Sequence, residues 1–358
     1  MWKNSILTAI YVRFGLFILL ILGARSYNDS HNSIQTIFYQ YYVRWDAIAF
    51  LRIAAHGFNT DVGDIGHFPV YPIMLRIVGF VAQDLAVAAF IIGFVSAVAS
   101  GFFLQEIMRN MRFTEGENDR ALLFMSFFPT AFFLALPYSD TVFMTFVLGT
   151  FYFMSEKKWA PMSIMAILAG ACRIQGIALF PAILAQLWQL NLLRTKKMIW
   201  ALVVPSGTGL YLFNNWVNRG DPFFFLGLQQ DKFYHHIIFP FQELLTNIKM
   251  FFVGEPSSYK TLYLDMPMFA YLVPMILLFL GRKILPLPQQ IFSWSVVFML
   301  SMASFGVSMP RYVLVIFPMY IVLARLTENK NVFRATMTFS VSLFSFFATR
   351  YFLGLWAF

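Results

Sequence analysis

Long apolar runs, each broken by a few polar residues, alternate along the whole chain. A run of about 20 such residues crosses a bilayer as a helix. On that pattern the candidate spans are Ile6–Gly23, Leu85–Met108, Ala121–Leu136, Thr141–Met154, Pro161–Ala171, Gly176–Leu192, Ile199–Trp216, Tyr263–Leu280, Ile291–Val307, Tyr312–Leu326 and Ala335–Ala357. They predict an all-α polytopic membrane protein with about 11 transmembrane helices. Several are short, and Ala121–Met154 is either two spans or a broken pair. Two connections, 24–84 and 217–262, are longer than a simple link requires, and long loops inside compact proteins usually carry function. Within the first, Asp46–His56 has helical apolar spacing at Ala49, Phe50, Ile53 and Ala54, and Gly57 is a natural stop. This predicts an amphipathic helix along the interface, with Trp45 and Phe50 at headgroup level.

Composition fits that picture. Of 358 residues, 59% are hydrophobic and 12% charged, roughly half the charge of a soluble domain. No Ser/Gly-rich or Pro-rich linker and no repeat divides the chain, so it reads as one embedded domain, 1–358. A single cysteine, Cys172, excludes an internal disulfide framework and a cysteine-cluster metal site. In so apolar a chain, the net charge of +9 points to cytoplasmic loops on anionic lipid rather than to nucleic acid. The first apolar segment lacks a small-residue cleavage site and reads as a retained anchor.

The basic residues gather in alternate connections: Lys3; Arg109 and Arg112; Lys157 and Lys158; Arg194, Lys196 and Lys197; Arg282 and Lys283; Lys330 and Arg334. By the positive-inside rule those connections are cytoplasmic. The opposite, extracytoplasmic side then holds both long loops, the turn 137–140, Arg173, Arg311 and the C-terminus.

Nearly every unusual polar residue falls on that outer side. "YYVRWDAIAFLRIAAHGF" sets Arg44, Trp45 and Asp46 side by side, with Arg52 and His56 following at helical spacing. Asp46 would start the helix, where a carboxylate gains from the dipole. It is either a cap, with Arg44 snorkelling to headgroups, or a functional group, the default for an ionisable residue at membrane depth. In "GHFPVYPIMLR", Pro69 and Pro72 either present His67 and Tyr71 from a rigid extended turn or merely steer the chain into the next span. In "FFPTAFFLALPYSDTVF", Pro129 breaks or kinks a helix. Pro137 opens a turn holding Tyr138, Ser139 and Asp140, which by itself is a plain hairpin.

"AGACRIQGIAL" carries Arg173 and Gln175 in a short outer loop. An arginine there, opposite the basic face, requires a carboxylate or an anionic ligand. "NRGDPFFFLGLQQDKFYHH" groups Asp221, Gln229, Lys232, His235 and His236 with an aromatic band. Its adjacent histidines lack the i, i+4 spacing of a helical metal pair and read as surface residues. "SMPRYVLVIFP" heads a late span with Arg311 and Tyr312. Carboxylates and guanidiniums gathered on one interfacial face suit one reaction class. Arginines hold the phosphate of an amphiphilic donor, while a carboxylate takes a proton from an incoming hydroxyl.

"RWDAIAFLRIAAHGF" followed by "HFPVYP" resembles the first luminal loop of the PIG-V-type mannosyltransferases, which include GPI mannosyltransferase II and prokaryotic relatives. The family pattern there is approximately WDAxHFLxIAxxGY, then FFPxxP. "FPTAFFLALPYSDTVF" is similar to the family's Tyr-Ser-Glu segment, "CRIQG" to its Arg-Ser-Asn-Gly segment, and "GDPFFFLGLQQDKF" to a Gly-Asp-Pro stretch of prokaryotic members. The resemblance is clearest over 44–185. It implies a GT-C glycosyltransferase fold, an outward-facing active site and a polyprenyl-phosphate mannose donor. Carried over by position, it makes Asp46 the catalytic base and Asp140 the second acidic position. The chain departs from the pattern at Ala49, where the family has histidine, at Asp140, where it has glutamate, and at Gln175, where it has asparagine.

The expected reaction is an inverting sugar transfer from the lipid phosphate to an acceptor hydroxyl. Asp46 and Asp140 are the catalytic candidates, and Arg173, Arg44 and Arg311 the donor-phosphate ligands. Trp45, His56, His67, Tyr71, Tyr138, Ser139, Gln175, Asp221 and Gln229 are the substrate contacts. Lipid phosphate is already a competent leaving group, so no cofactor, nucleotide motif or metal is expected. The acceptor, whether glycolipid, glycan or protein, is left open. A prokaryotic plasma membrane is the expected location, or the endoplasmic reticulum in a eukaryote. The rival expectation is a transporter or flippase of an anionic lipid or lipid-linked sugar, which calls for repeated halves and paired broken helices. The sequence shows no such symmetry.

Overall fold

The first apolar run folds as one helix, α1 (Trp2–Ser26), because no proline interrupts it. The structure, a computed structural model, describes residues 2–26, 39–233, 236–255, 257, 260–304, 306 and 308–357. In the first long connection, α2 (Asp46–His56) and α3 (Val70–Ala82) lead into α4 (Leu85–Asn110). There follow α5 (Glu115–Phe127), α6 (Asp140–Ser155), α7 (Trp159–Gly170), α8 (Leu179–Gln189), α9 (Ile199–Leu202) and α10 (Ser206–Arg219). The second long connection holds α11 (Phe224–Phe233) and α12 (Gln242–Val253). The chain continues through α13 (Met266–Leu280), α14 (Leu287–Ser301), α15 (Met309–Tyr312), α16 (Pro318–Leu326) and α17 (Lys330–Phe352).

Among the described residues, four stretches are long and apolar enough to cross a membrane: Lys3–Leu22, Leu85–Asn110, Tyr263–Lys283 and Lys330–Phe352. The pair α15 and α16, bent by 84°, would make a fifth. Other apolar runs expected as spans fold as shorter pieces, and prolines explain several breaks. Phe128 is extended (φ −56°, ψ 148°) because Pro129 follows, so α5 stops at Phe127. The run 199–216 divides ahead of Pro205 into α9 and α10. Pro69 and Pro72 act differently from expectation. Pro69 is in the right-handed region and caps α3, with Pro72 in its first turn. Proline is tolerated there because those N–H groups have no helical partner.

The basic connections do meet at one end. Asn4 donates to Asp119 (2.8 Å), and Asn110 donates to Ser155 and Glu156 (both 3.0 Å). Lys197 lies 5.7 Å from the Trp159 ring, Gln289 reaches Met111 (3.4 Å), and Arg325 pairs with Glu117 (3.0 Å). Between the ends, Ser100 and Thr145 (2.8 Å) hold α4 and α6 side by side and parallel. At the opposite end, Thr130 donates to the Pro310 carbonyl (2.6 Å), the Val70 N–H to Ala171 (3.3 Å), and Tyr351 to Tyr42 (3.3 Å). Those bonds bring the four polar constellations together.

Helices α7 and α10 touch backbone to backbone at Gly207, where a Cβ would collide with the Ile167 carbonyl. Gly207→Ala is therefore expected to lower stability by about 1–3 kcal/mol. A thermal unfolding midpoint equal to wild type counts against so tight a crossing.

Candidate active site

Asp46 is the first residue of α2, and Trp45 before it has φ 56° and ψ −125°. Positive φ is costly for a bulky residue, on the order of 1–3 kcal/mol. The kink turns the chain so that the buried face of α2, Ala47, Phe50, Ile53 and Ala54, packs inward. Gly57, at φ 85°, ends the helix as the sequence predicts, with its N–H on the Ile53 carbonyl (2.8 Å). Phe50 differs from expectation. It is buried rather than at headgroup level, edge-on to His67 (4.9 Å) and Tyr71 (5.0 Å).

The Asp46 carboxylate does not cap its helix. Its Oδ2 accepts from Arg311 Nη1 at 2.8 Å. Arg311 Nε in turn donates to both oxygens of Asp140 (3.3 and 3.2 Å), and Asp140 Oδ1 pairs with Arg173 Nη1 at 2.7 Å. Four groups scattered along the chain thus form one line: Asp46, Arg311, Asp140, Arg173. Arg173 Nη1 also reaches Ser139 Oγ (3.5 Å).

Local backbone explains each placement. Asp140 opens α6 after the Pro137 turn, and Arg173 is extended between α7 and the 3-10 turn Ile174–Ala178. Arg311 sits in the short α15, ahead of the 84° bend. Aromatic rings wall the line. The Arg311 guanidinium stacks on Tyr138 (4.6 Å), Phe133 (5.3 Å) and Tyr312 (5.6 Å), and that of Arg173 on Tyr312 (5.2 Å) and Phe143 (5.9 Å).

Exposure separates the two acids. The Asp46 side chain is 41% exposed, that of Asp140 only 6%. Burial by itself would raise the Asp46 carboxyl; the Arg311 charge, with His67 and Arg173 behind it, overrides this and holds it below the ordinary carboxylate range. Burial pushes His67 down despite Asp46 and Asp64, so its imidazole is neutral near pH 7, and its Nδ1 is buried without a partner. Asp140 is clamped by two guanidiniums, Arg173 and Arg311.

Comparison with known protein families gives no match, and comparison with curated proteins gives none either. The likeness to the PIG-V-type mannosyltransferases therefore stands on the quoted motifs.

The remaining candidates divide. Tyr138 donates to the Arg44 carbonyl (3.1 Å), tying the turn 137–140 to the first loop. Arg44 itself lies over the Tyr41 ring (4.8 Å) with Nε buried and unpartnered. Gln175 is buried two residues beyond Arg173. His56 is exposed at the far end of α2, about 15 Å along the helix from Asp46. Asp221 holds the Phe223 N–H (2.8 Å) and, with Val62, lines a separate groove of about 460 Å³. His56, Asp221 and Gln229 neither pair nor hydrogen-bond with the four charged groups. His235 lies outside the described residues, as does the side chain of Lys232. Among the described residues, no group of three His, Cys, Asp or Glu side chains is placed to hold a metal.

Sequence reasoning missed the wall beside Trp45. Trp356 meets it edge-on (5.5 Å) and stacks with Tyr263 (6.5 Å), while Arg350 donates to the Trp356 carbonyl (3.1 Å). Nothing local in the segment 350–357 signals this contact.

Proposed function

We propose that the protein is a glycosyltransferase of GT-C architecture. It moves a sugar, mannose by the resemblance, from a polyprenyl-phosphate donor to an acceptor hydroxyl on the extracytoplasmic face. The observation that carries this reading is the half-exposed Asp46 carboxylate, held by buried Arg311 at the end opposite the basic connections. Its exposed side chain leaves that carboxylate open to an incoming substrate.

In the resting site the four charges balance, and an ion-paired carboxylate is a weak base. An arriving donor phosphate competes for Arg311 and Arg173, and the loss of those partners raises the basicity of Asp46. Asp46 then takes the acceptor proton as the hydroxyl attacks the anomeric carbon, and the lipid phosphate departs stabilised by guanidinium. Arg44, with its Nε free of partners, supplies the positive charge that the balanced line lacks.

Arg44→Ala is expected to raise the donor KM about 10–100-fold with little change in kcat, the worth of one charge-assisted hydrogen bond. An unchanged KM removes Arg44 from the donor site. The reaction class is tested by incubating purified protein with radiolabelled polyprenyl-phosphate mannose and acceptor lipid extracts. Label on an acceptor supports transfer.

One observation favours the rival reading of a flippase: Arg311 sits on the bent pair α15 and α16, a broken span or a re-entrant loop. Proteoliposomes separate the two. Label that crosses the bilayer still attached to polyprenyl phosphate supports transport.

A further inference from the structure

Helix α17 stops at Phe352, and the chain turns back at once. Gly354 makes that turn at φ 73°, in the left-handed region that glycine enters without steric cost. Its N–H donates to the Tyr351 carbonyl (3.0 Å), and that of Leu355 to the Arg350 carbonyl (2.9 Å). Further contacts brace the turn. Arg350 Nε donates to the Trp356 carbonyl (3.1 Å), and the Trp356 ring lies edge-on to Trp45 (5.5 Å) and stacks with Tyr263 (6.5 Å).

The same turn packs on Arg44. A Cβ on Gly354 would collide with Arg44 Nη1 and stand 3.4 Å from Cζ. The Tyr41 ring also packs on that guanidinium, 4.8 Å from Cζ. Glycine at 354 therefore serves twice, once for its backbone angle and once for the space it leaves. Nε of Arg44 is sealed from solvent, whereas Nη1 and Nη2 stay open and have no hydrogen-bond partner among the described residues. Two open amino groups on one planar cation match the oxygens of a phosphate. The side chain is ordered before any ligand arrives, so binding does not bear the cost of freezing it.

We propose that Gly354 is a positioning residue of the donor site. The turn it makes after α17 holds the Arg44 guanidinium so that Nη1 and Nη2 face the donor phosphate. The inference rests on the reading of Arg44 as a phosphate ligand, and adds the segment 353–357 to the parts that build the site. It predicts a glycine whose replacement acts on lipid phosphate through Arg44 alone.

The test uses purified full-length protein in nanodiscs, titrated with farnesyl phosphate and with farnesol as its uncharged counterpart, empty nanodiscs serving as the blank. Asparagine tolerates a left-handed backbone, so Gly354→Asn keeps the turn and adds only the obstruction. It should weaken farnesyl phosphate about 10–100-fold, as Arg44→Ala does, and leave farnesol unchanged. In the Arg44→Ala background it should change nothing further. Should Gly354→Asn alone fail to fold, Arg44→Ala should restore folding by vacating the space. Trp356→Ala, which loosens the turn, then carries the binding test and should show the same selective loss. Wild-type affinity in the folded variants, equal loss of both ligands, or losses that add to that of Arg44→Ala would each overturn the assignment. Wild type that binds farnesyl phosphate no tighter than farnesol would overturn the donor reading, and this inference with it. No sugar transfer is needed, so the result holds whether the protein transfers the sugar or moves the lipid.

Discussion

Asp46→Asn is expected to leave a folded protein that binds donor and transfers almost no sugar. The amide has the same shape, and its oxygen still accepts from Arg311. Arg311 also keeps Asp140 at 3.2 Å, so the line of charges holds without the Asp46 charge. Asp46 is the half-exposed end of that line, and losing its charge leaves no unpaired acid inside. What disappears is a group able to take a proton. General-base assistance contributes about 10²–10⁴ in rate, so kcat should fall by that factor while the donor KM and the unfolding midpoint stay near wild type.

The pH profile offers a second check on the same residue. Arg311 keeps the free-enzyme carboxyl below its ordinary range, and burial keeps His67 neutral. Wild-type kcat/KM should therefore show no acid limb from the Asp46 carboxyl above the ordinary carboxylate range, because that carboxyl stays ionised there. An acid limb near pH 6 in the free enzyme, or full transfer by folded Asp46→Asn, would move the base elsewhere.

Much of the first loop was legible in the sequence. Spacing alone places α2 at Asp46–His56 with its stop at Gly57, because a period of 3.6 and a positive-φ glycine are local properties. The same spacing misjudged Phe50. An amphipathic face reads the same whether it meets lipid or protein, and only the packing of His67 and of Tyr71 in α3 against Phe50 decides. That the basic connections share one end was legible too, since each reports independently.

The line of charges was legible only as an inventory. Asp46 and Arg311 stand 265 positions apart, and no periodicity encodes their pairing. Nor does sequence rank the two acids: Asp46 and Asp140 are chemically alike until burial separates them. Arg13, within α1, was overlooked for a different reason: a window average over an apolar run absorbs one charge, and only the structure shows it packed against Phe90 and Phe94.

Arg311→Met is expected to have the largest effect on stability. Arg311 is 6% exposed, and its guanidinium serves two acids at once. Removing it releases Asp46 toward solvent at little cost, but leaves buried Asp140 with Arg173 as its single cation. Breaking a buried ion pair by deleting one partner costs about 3–5 kcal/mol, because the surviving charge stays desolvated. For a chain of this size the unfolding midpoint should drop roughly 4–7 °C. Arg311→Lys should recover little, since an ammonium cannot hold two carboxylates in the planar fork.

Removing both charges tests the cause. Asp140→Asn in the Arg311→Met background takes away the stranded carboxylate, and the double variant should regain more than half of the lost stability. Transfer activity should stay lost, because the guanidinium that holds Asp46, and that meets the phosphate in the proposed mechanism, is still gone. A double-mutant cycle of unfolding midpoints, run beside the transfer assay, separates these consequences. If the two substitutions simply add, Arg311 and Asp140 are not the coupled pair that the 3.2 Å contact implies, and the line of charges cannot be what holds Asp46 in place.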